Sequence, residues 1–230
     1  MTAALGSPRL HLRTTHSTNA RARELAGRGA PHGTLVTASA QSAGRGRQGR
    51  TWSAPPGTSL LMSVVLRDWP GLLPLVVATA VADAIGDDAR IKWPNDVHVN
   101  GLKVAGILVE ARPVDRWSVV GIGVNVAVDV ADLPAERRAT AGSLGRAPSE
   151  IEPLLSSLLS ALSTRLQAPA AEILEAYRAR DALLGRSISW NGGEGQAKGI
   201  DEEGRLLVET AAGRVALDAG EVHIGFAAPR

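Results

Sequence analysis

The most chemically suggestive stretch of this chain is residues 44–50, which read Gly-Arg-Gly-Arg-Gln-Gly-Arg. Three arginines and three glycines in seven residues suit neither a packed helix nor a packed strand, because glycine lowers the stability of both and like charges repel. A loop that folds over an anion uses both residue types, since glycine permits close backbone approach and arginine binds phosphate or carboxylate through paired hydrogen bonds. The composition therefore predicts an anion-binding loop, although a solvated basic turn has the same composition.

Three glycines of this loop, Gly44, Gly46 and Gly49, have the spacing of the dinucleotide-binding fingerprint, and a predicted strand precedes them. The fingerprint also needs a helix directly after the last glycine. Residues 50–57 read Arg-Thr-Trp-Ser-Ala-Pro-Pro-Gly, and two prolines followed by glycine are incompatible with a helix there. The sequence also lacks the pattern of a P-loop. We therefore reject both of these nucleotide-binding folds.

A second polar segment, residues 92–96, reads Lys-Trp-Pro-Asn-Asp and lies between two predicted strands. The proline fixes a turn, and the Asn95 amide carries both a donor and an acceptor, which suits the edge of a nucleobase. The Asp96 carboxylate could act as a base or orient an amine. An ordinary β-turn is the alternative, because Pro-Asn-Asp is common in turns.

Two apolar strands carry glycine beside an isolated polar residue. Lys103 opens the first and Gly106 lies within it, and a glycine inside a strand often marks the close approach of a ligand. Residues 121–125, Gly-Ile-Gly-Val-Asn, repeat the pattern and end on Asn125. The chain has 22 arginines but three lysines, so Lys92 and Lys103 are candidates for positions where only a compact ammonium group fits. A solvated lysine at a hairpin end and a strand bend with a satisfied asparagine are the alternatives.

A mixed sheet with helices must hold these residues. Strands are predicted at 9–13, 34–40, 59–67, 90–93, 97–99, 103–112 and 117–128, and helices at 17–26, 72–85, 150–166 and 171–182. From about residue 184, short strands alternate with glycine turns, at 187–190, 196–201, 205–210, 214–218 and 221–224. The sequence therefore predicts an α+β domain over residues 1–183 and a small β-barrel over residues 184–230.

Bulk composition excludes several classes of protein. The 230 residues are 44% hydrophobic with a net charge of +2, which describes a globular protein rather than a nucleic-acid coat. There are no cysteines, so disulfides and thiolate metal sites are impossible, and the five histidines lack zinc-site spacing. No apolar run is long enough to span a bilayer, and no signal-peptide pattern opens the chain. We expect a cytoplasmic protein without membrane contact, and no metal ligands are assigned.

The order of the motifs is more specific than any one of them. The chain carries Ser17-Thr18-Asn19, then Gln41 with the arginine loop and Trp52, then residues 92–96, 103–110 and 121–125. Together these closely resemble the biotin protein ligases, and the tail from residue 199 to residue 209 resembles the SH3-like domain of that family. The resemblance begins near residue 10, which implies the monofunctional type without a DNA-binding domain and hence no operator binding. Ala54 departs from the family pattern, which often has serine there.

The resemblance implies a catalytic domain like those of class II aminoacyl-tRNA synthetases and two half-reactions. Biotin is activated by ATP, accompanied by Mg²⁺, as biotinyl-5′-AMP, and is then transferred to a lysine of a biotin carboxyl carrier protein domain of an acyl-CoA or pyruvate carboxylase. The implied biotin and adenylate contacts are Ser17, Thr18, Asn19, Gln41, Gly44, Arg45, Gly46, Arg47, Lys103 and Gly106. The implied ATP or adenine contacts are Trp52, Lys92, Asn95 and Asn125, and the implied catalytic residues are Arg47, Lys103 and Asp96. The loop 44–50 is expected to close as a lid over the intermediate, and a homodimer is an open alternative to a monomer.

Two other functions compete with this one. A lipoate- or octanoate-protein ligase resembles the same fold and also acylates a carrier lysine, but the combined Gly-Arg and Lys-Trp-Pro-Asn-Asp motifs favour biotin. A non-catalytic RNA-binding module could use the basic loop and the small barrel. The low net charge and the presence of only one tyrosine and one phenylalanine argue against that module.

Overall fold

The computed structural model describes residues 4–218 and 220–225, and most of them belong to one large sheet with its helices. The strands of the large sheet are β1 (Arg9–Leu12), β2 (Leu35–Ala38), β3 (Ser59–Leu66), β4 (Arg90–Lys92), β5 (Asp96–Val99), β6 (Leu102–Arg112) and β7 (Trp117–Asn125). Their order across the sheet is β1-β2-β3-β7-β6-β5-β4. The first pair is parallel and every other neighbouring pair is antiparallel, so the predicted mixed sheet is confirmed.

Helices cover both faces of the large sheet. They are α1 (Thr18–Gly27), α2 (Leu73–Ile85), α3 (Ala135–Arg138), α4 (Ile151–Gln167) and α5 (Ala170–Arg178). All eight residues of β3 are buried; its even-numbered side chains lie in one apolar cluster, and Val65 lies in another. Val65 packs in one cluster with Ala22 of α1, whereas Val64 packs in the other with Val77 of α2 and Leu158 of α4. Burial on both faces explains why this strand reads as an almost continuous apolar run.

The C-terminal part forms a small antiparallel sheet. Its strands are β8 (Ser187–Trp190), β9 (Gly193–Ile200), β10 (Leu206–Thr210), β11 (Gly213–Leu217) and β12 (Val222–Ile224), in the order β11-β10-β9-β8-β12. The indole Nε1 of Trp93 donates a hydrogen bond of 3.1 Å to the carbonyl of Gly204, and Leu206 joins the same buried cluster as α2. The small sheet is therefore packed onto the large one. The predicted boundary between residues 183 and 184 stays a prediction.

Several predicted element limits are shifted. The helix predicted at 171–182 ends at Arg178, because the backbone at Arg180 and Ala182 turns to hydrogen-bond Ile91 of β4 at 2.7 and 2.9 Å. The strand predicted at 117–128 ends at Asn125, and the one predicted at 196–201 already begins at Gly193. The short helix α3 and the 3-10 turns at Arg47–Gly49, Val130–Asp132 and Pro148–Glu150 were outside the sequence prediction. Among the described residues, no helix is long and apolar enough to cross a membrane.

A buried carboxylate lies where the two sheets join. Asp181 Oδ1 accepts a hydrogen bond of 2.7 Å from the Leu183 amide, but Oδ2 is buried with no partner among the described residues. Burial raises the pKa of Asp181 above its ordinary value, and backbone hydrogen bonds only partly oppose this. The folded protein therefore holds this proton more tightly than the unfolded chain does. The protonated form of Asp181 therefore stabilises the fold. This stabilisation is fully present below about pH 3.9, the pKa of an unfolded aspartate, and is lost as pH rises through the raised pKa of the folded protein.

We expect Asp181→Asn to raise the free energy of unfolding at pH 7 by on the order of 1 kcal/mol, because the amide keeps the acceptor for Leu183 and buries no charge. Urea unfolding at pH 5 and pH 7 measures the effect, and the gain should be larger at pH 7. Asp88→Asn, at an exposed position, is the control and should change little. A loss of stability at both pH values would show that the ionised carboxylate is favourable.

Candidate active site

The polar motifs converge on one cleft over the large sheet. We call it the first cavity; it is lined by the start of α1, by the loop 44–50 with Trp52, and by β6 and β7. The predicted residues that line it are Ser17, Thr18, Asn19, Gln41, Arg45, Gly46, Arg47, Trp52, Asn95, Lys103 and Gly106. Motifs that are far apart in the sequence thus line one cavity.

One wall of the first cavity is lined by uncharged side chains that are held by a hydrogen-bond network. Gln41 Oε1 accepts from the Thr18 backbone amide at 2.7 Å and lies 3.1 Å from the Thr18 hydroxyl. The Ser63 hydroxyl lies 2.6 Å from Asn19 Oδ1, and Asn19 Nδ2 donates to Glu110 Oε2 at 2.9 Å. Because these partners fix both ends of the Asn19 amide, the wall is rigid and presents neutral polar groups to the cavity.

The glycine at position 121 makes this wall possible. A Cβ atom built on Gly121 would lie 1.9 Å from Asn19 Oδ1, far inside van der Waals contact. The Asn19 side chain therefore lies directly on the backbone of β7. Ser17 supports the same helix end, since its hydroxyl accepts from the Ala20 amide at 3.4 Å as a weak N-cap.

The loop 44–50 is folded into a compact turn above the cavity. The Gly46 amide donates to the Arg50 carbonyl at 2.7 Å, and the Arg50 amide donates to the Arg47 carbonyl at 3.1 Å. Gly49 has a φ of 75°, which glycine adopts at little cost. Gly44, predicted as a ligand contact, does not line the cavity; a Cβ there would lie 2.3 Å from the Trp52 carbonyl oxygen, so this glycine lets the two ends of the loop approach.

Trp52 lies flat on the sheet between β6 and β7. Gly106 and Gly123 are register partners, and Cβ atoms built on them would lie 2.8 and 2.5 Å from the indole. Lys103 Nζ lies 5.8 Å from the centroid of the Trp52 ring, within cation–π range. The indole Nε1 is buried with no partner among the described residues. Because Gly106 and Gly123 have no side chains, the Trp52 indole can lie directly on the backbone of β6 and β7; we call this surface the seat of Trp52.

Asn95 and Asp96 of the Lys-Trp-Pro-Asn-Asp motif are bonded to cations that lie near Trp52. Lys103 Nζ and Asp96 Oδ1 form an ion pair of 2.6 Å, and Arg47 Nη1 donates to Asn95 Oδ1 at 3.1 Å. The other end of the Asn95 amide donates to the carbonyl of Ile107 at 2.8 Å. Each end of the Asn95 amide therefore has one partner within the protein, and Asn95 lies in the first cavity. Its predicted contact with adenine stays a prediction.

A second cavity, of about 540 Å³, adjoins the first. Trp52, Arg50, Lys103 and Arg137 line both cavities, and Lys92, Asp96, Asn125 and Glu221 line only the second of the two. Four cations thus face two carboxylates in a space large enough for a nucleotide. Burial lowers the pKa of Lys92, and the nearby carboxylates of Asp96 and Glu221 partly oppose that shift. The net positive charge suits a polyanion such as a triphosphate.

The amide of Asn125 also has partners inside the protein. Its Nδ2 donates to the Gly142 carbonyl at 2.8 Å, and its Oδ1 lies 3.4 Å from the Ser59 hydroxyl. This buried side chain therefore holds the turn after α3 against β7. Its predicted contact with adenine, like the other predicted ligand contacts, stays a prediction.

The sequence prediction assigned no role to several polar residues of the site, among them Arg50, Ser63, Arg137 and Glu221. Arg50 lies in the predicted anion-binding loop without an assigned ligand, and Ser63 is a hydroxyl in the middle of an apolar strand, which is a usable signal. Arg137 comes from the four-residue helix α3, and Glu221 comes from the small sheet. Neither of the last two belongs to a recognisable motif.

The fold and the paired cavities define a carboxylate-activating ligase domain, and comparison with known proteins places the chain within that class. Residues 12–127 match the Biotin/lipoate A/B protein ligase family, and residues 184–225 match the Biotin protein ligase C terminal domain. The chain belongs to this family, and more particularly to its biotin ligases, as the resemblance predicted. The match of the tail confirms the predicted SH3-like domain type.

Relatives cover most of the chain. A biotin--[acetyl-CoA-carboxylase] ligase from Paracoccus denitrificans is 39% identical over 240 residues, covering 93% of this chain and 99% of that protein. The bifunctional ligase/repressor BirA of Bacillus subtilis is 34% identical over 247 residues, covering 97% and 76%. The solved structure of the Aquifex aeolicus biotin protein ligase in complex with biotin and ATP has a TM-score of 0.82 and 26% identity, covering 95% of this chain and 100% of that one.

We expect Gly123→Ala to displace Trp52, since the added methyl group would overlap the indole. Turnover with saturating substrates should fall at least about ten-fold, which corresponds to about 1.4 kcal/mol in the barrier. Gly27→Ala in α1 is the matched control, because a Cβ there meets nothing within 4 Å. Unchanged activity in Gly123→Ala, with intact folding shown by its melting temperature, would contradict the importance of the seat.

Proposed function

We propose that this protein activates biotin with ATP as biotinyl-5′-AMP and transfers the biotinyl group to a lysine of a carrier domain. One observation carries the proposal: the neutral wall of the first cavity and the cationic second cavity meet at Trp52 and Lys103, and arginines of the loop 44–50 line the first cavity as well. The neutral wall of Thr18, Asn19 and Gln41 suits a ureido ring, which offers both donors and acceptors. The cationic cavity suits a triphosphate, with Mg²⁺ entering as part of the nucleotide substrate.

The first half-reaction joins two anions, so positioning and charge neutralisation dominate it. The biotin carboxylate oxygen attacks the α-phosphorus, the bond to the β-phosphate oxygen breaks, and pyrophosphate leaves. Arg50, Lys103 and Arg137 line both cavities, and Lys103 also lies over the Trp52 ring where the cavities meet, so we assign to it the neutralisation of the carboxylate and then of the phosphate. Arg47, held by Asn95 at 3.1 Å, supplies a second fixed charge from the loop.

In the second half-reaction the acceptor amine attacks the acyl carbon and AMP leaves. The acceptor lysine must first lose a proton, and Asp96 is the carboxylate nearest to Lys103 in the motif. We propose that Asp96 orients or deprotonates this amine. The loop 44–50 closes over the anhydride and excludes water, which would otherwise hydrolyse it.

The acceptor is a biotin carboxyl carrier domain, and the named relatives support that of acetyl-CoA carboxylase. Transfer to a pyruvate carboxylase, assembly as a homodimer and location in the cytoplasm are further proposals. Each follows from the family resemblance, and each needs its own measurement.

Pyrophosphate release tests the activity directly. With ATP and Mg²⁺, we expect release on adding biotin and none above background on adding lipoate or octanoate. A purified carrier domain should then become acylated on one lysine, which intact-mass spectrometry detects as one biotinyl addition. Release with lipoate and not with biotin would identify the protein as a lipoate ligase, and release with neither would overturn both assignments.

Lys103→Ala should slow pyrophosphate release by about 10²–10³-fold, the usual effect of removing one fixed charge from a developing anion. Lys198→Ala is the matched control, because Lys198 is an exposed lysine of the small sheet. We expect the control to retain full activity. A near-normal rate in Lys103→Ala would assign the neutralising role to another cation, with Arg47 and Arg137 as the next variants to test.

A further inference from the structure

An ion pair joins the small sheet to the arginine loop. The carboxylate of Glu221, directly before β12, bonds to Nη1 of Arg50 at the end of the loop 44–50. The two side chains are 34% and 41% exposed, so the pair is partly shielded from water. These residues are 171 positions apart in the sequence, so this contact exists only when the small sheet is docked.

Arg50 passes this contact on to the rest of the loop. Its Nε donates to the Arg47 carbonyl at 3.3 Å, and its carbonyl accepts from the Gly46 amide at 2.7 Å. Arg47 in turn donates to Asn95 in the first cavity. A continuous series of contacts thus runs from Glu221 through Arg50 and Arg47 to Asn95, which lines the first cavity.

The charge of Glu221 reaches beyond Arg50. Its field opposes the lowering of the pKa of Arg47 and of Lys92, as does that of Asp96. Glu221 is thus an anion supplied by the small sheet to the cations of the loop and of the second cavity. Through its ion pair with Arg50, Glu221 can hold the loop 44–50 in place without touching the reacting atoms.

We infer that Glu221 is a positioning residue that holds the loop 44–50 closed through Arg50, so that the small sheet helps to retain the activated intermediate. The inference rests on the proposed function for the nature of that intermediate. A partly exposed ion pair has a modest effect, about two- to five-fold in an equilibrium. Loss of the pair should therefore open the loop more often without abolishing the chemistry.

A second interdomain ion pair supplies the control. Glu202 of the small sheet region pairs with Arg178 of α5 at 2.8 Å, and neither residue contacts the loop. Glu221→Gln and Glu202→Gln each remove one carboxylate of the small-sheet region that pairs with an arginine outside it, Arg50 or Arg178. A difference between the two variants isolates the loop from general docking of the small sheet. Glu221→Asp keeps the charge and should restore part of the effect.

The test measures trypsin cleavage at Arg45, Arg47 and Arg50 and the release of preformed adenylate from the enzyme. For Glu221→Gln we expect trypsin cleavage and adenylate release each to rise about two- to five-fold, with release expressed per adenylate formed. Glu202→Gln should match the unmodified protein in both measurements. Melting temperatures establish that all variants are folded.

Cleavage and release in Glu221→Gln equal to those of the unmodified protein would overturn the inference, as would equal increases in Glu202→Gln. A protein that forms no adenylate overturns the proposed function instead. In that case the cleavage measurement still decides whether Glu221 holds the loop.

Discussion

The site depends on the absence of side chains at three positions of the large sheet, Gly106, Gly121 and Gly123. Sheets normally present a Cβ atom at every residue, which keeps other groups several ångströms from the backbone. Here Asn19 and the indole of Trp52 occupy the space that those Cβ atoms would fill. Because Gly106 and Gly123 are register partners, the bare surface is continuous across two strands. The Asn19 amide of α1 and the Trp52 indole that follows the loop both lie directly on this surface.

Charge is distributed unevenly over this seat, and that separation matches the chemistry. The wall formed by Thr18, Asn19 and Gln41 is neutral and internally bonded, so it can bind an uncharged ring without repelling it. The cations come from the loop, from β6 and from α3, and Asp96 pairs with Lys103 and lowers the repulsion between them. A carboxylate and a polyphosphate can then meet at the boundary between the two halves, which neither half would favour alone.

The parts of the site that local motifs encode could be predicted from the sequence. The glycines and arginines of residues 44–50, the turn at residues 92–96 and Lys103 each have a composition whose physical reason is local. The apolar runs of β3 and α2 likewise predicted the correct sheet-and-helix class. Arg137 and Glu221 could not be found in this way, because each reaches the second cavity through tertiary packing alone. Asn95 and Asn125 show the opposite difficulty, since an amide that suits a base edge can equally bond to a neighbouring carbonyl.

The small sheet belongs to the same functional unit as the large one. It follows the catalytic motifs in the chain, yet it returns to them at two points: the Gly204 carbonyl accepts from Trp93 inside the Lys-Trp-Pro-Asn-Asp motif, and Glu221 binds Arg50 of the loop. The first contact fixes the turn that carries Asn95 and Asp96, whereas the second reaches the loop 44–50, which we propose closes over the intermediate. A buried indole hydrogen bond is suited to permanent fixation, and a partly exposed ion pair is suited to reversible closure, because its free energy is small. The small sheet can therefore fix the turn at residues 92–96 permanently and, in the proposed mechanism, hold the loop 44–50 reversibly.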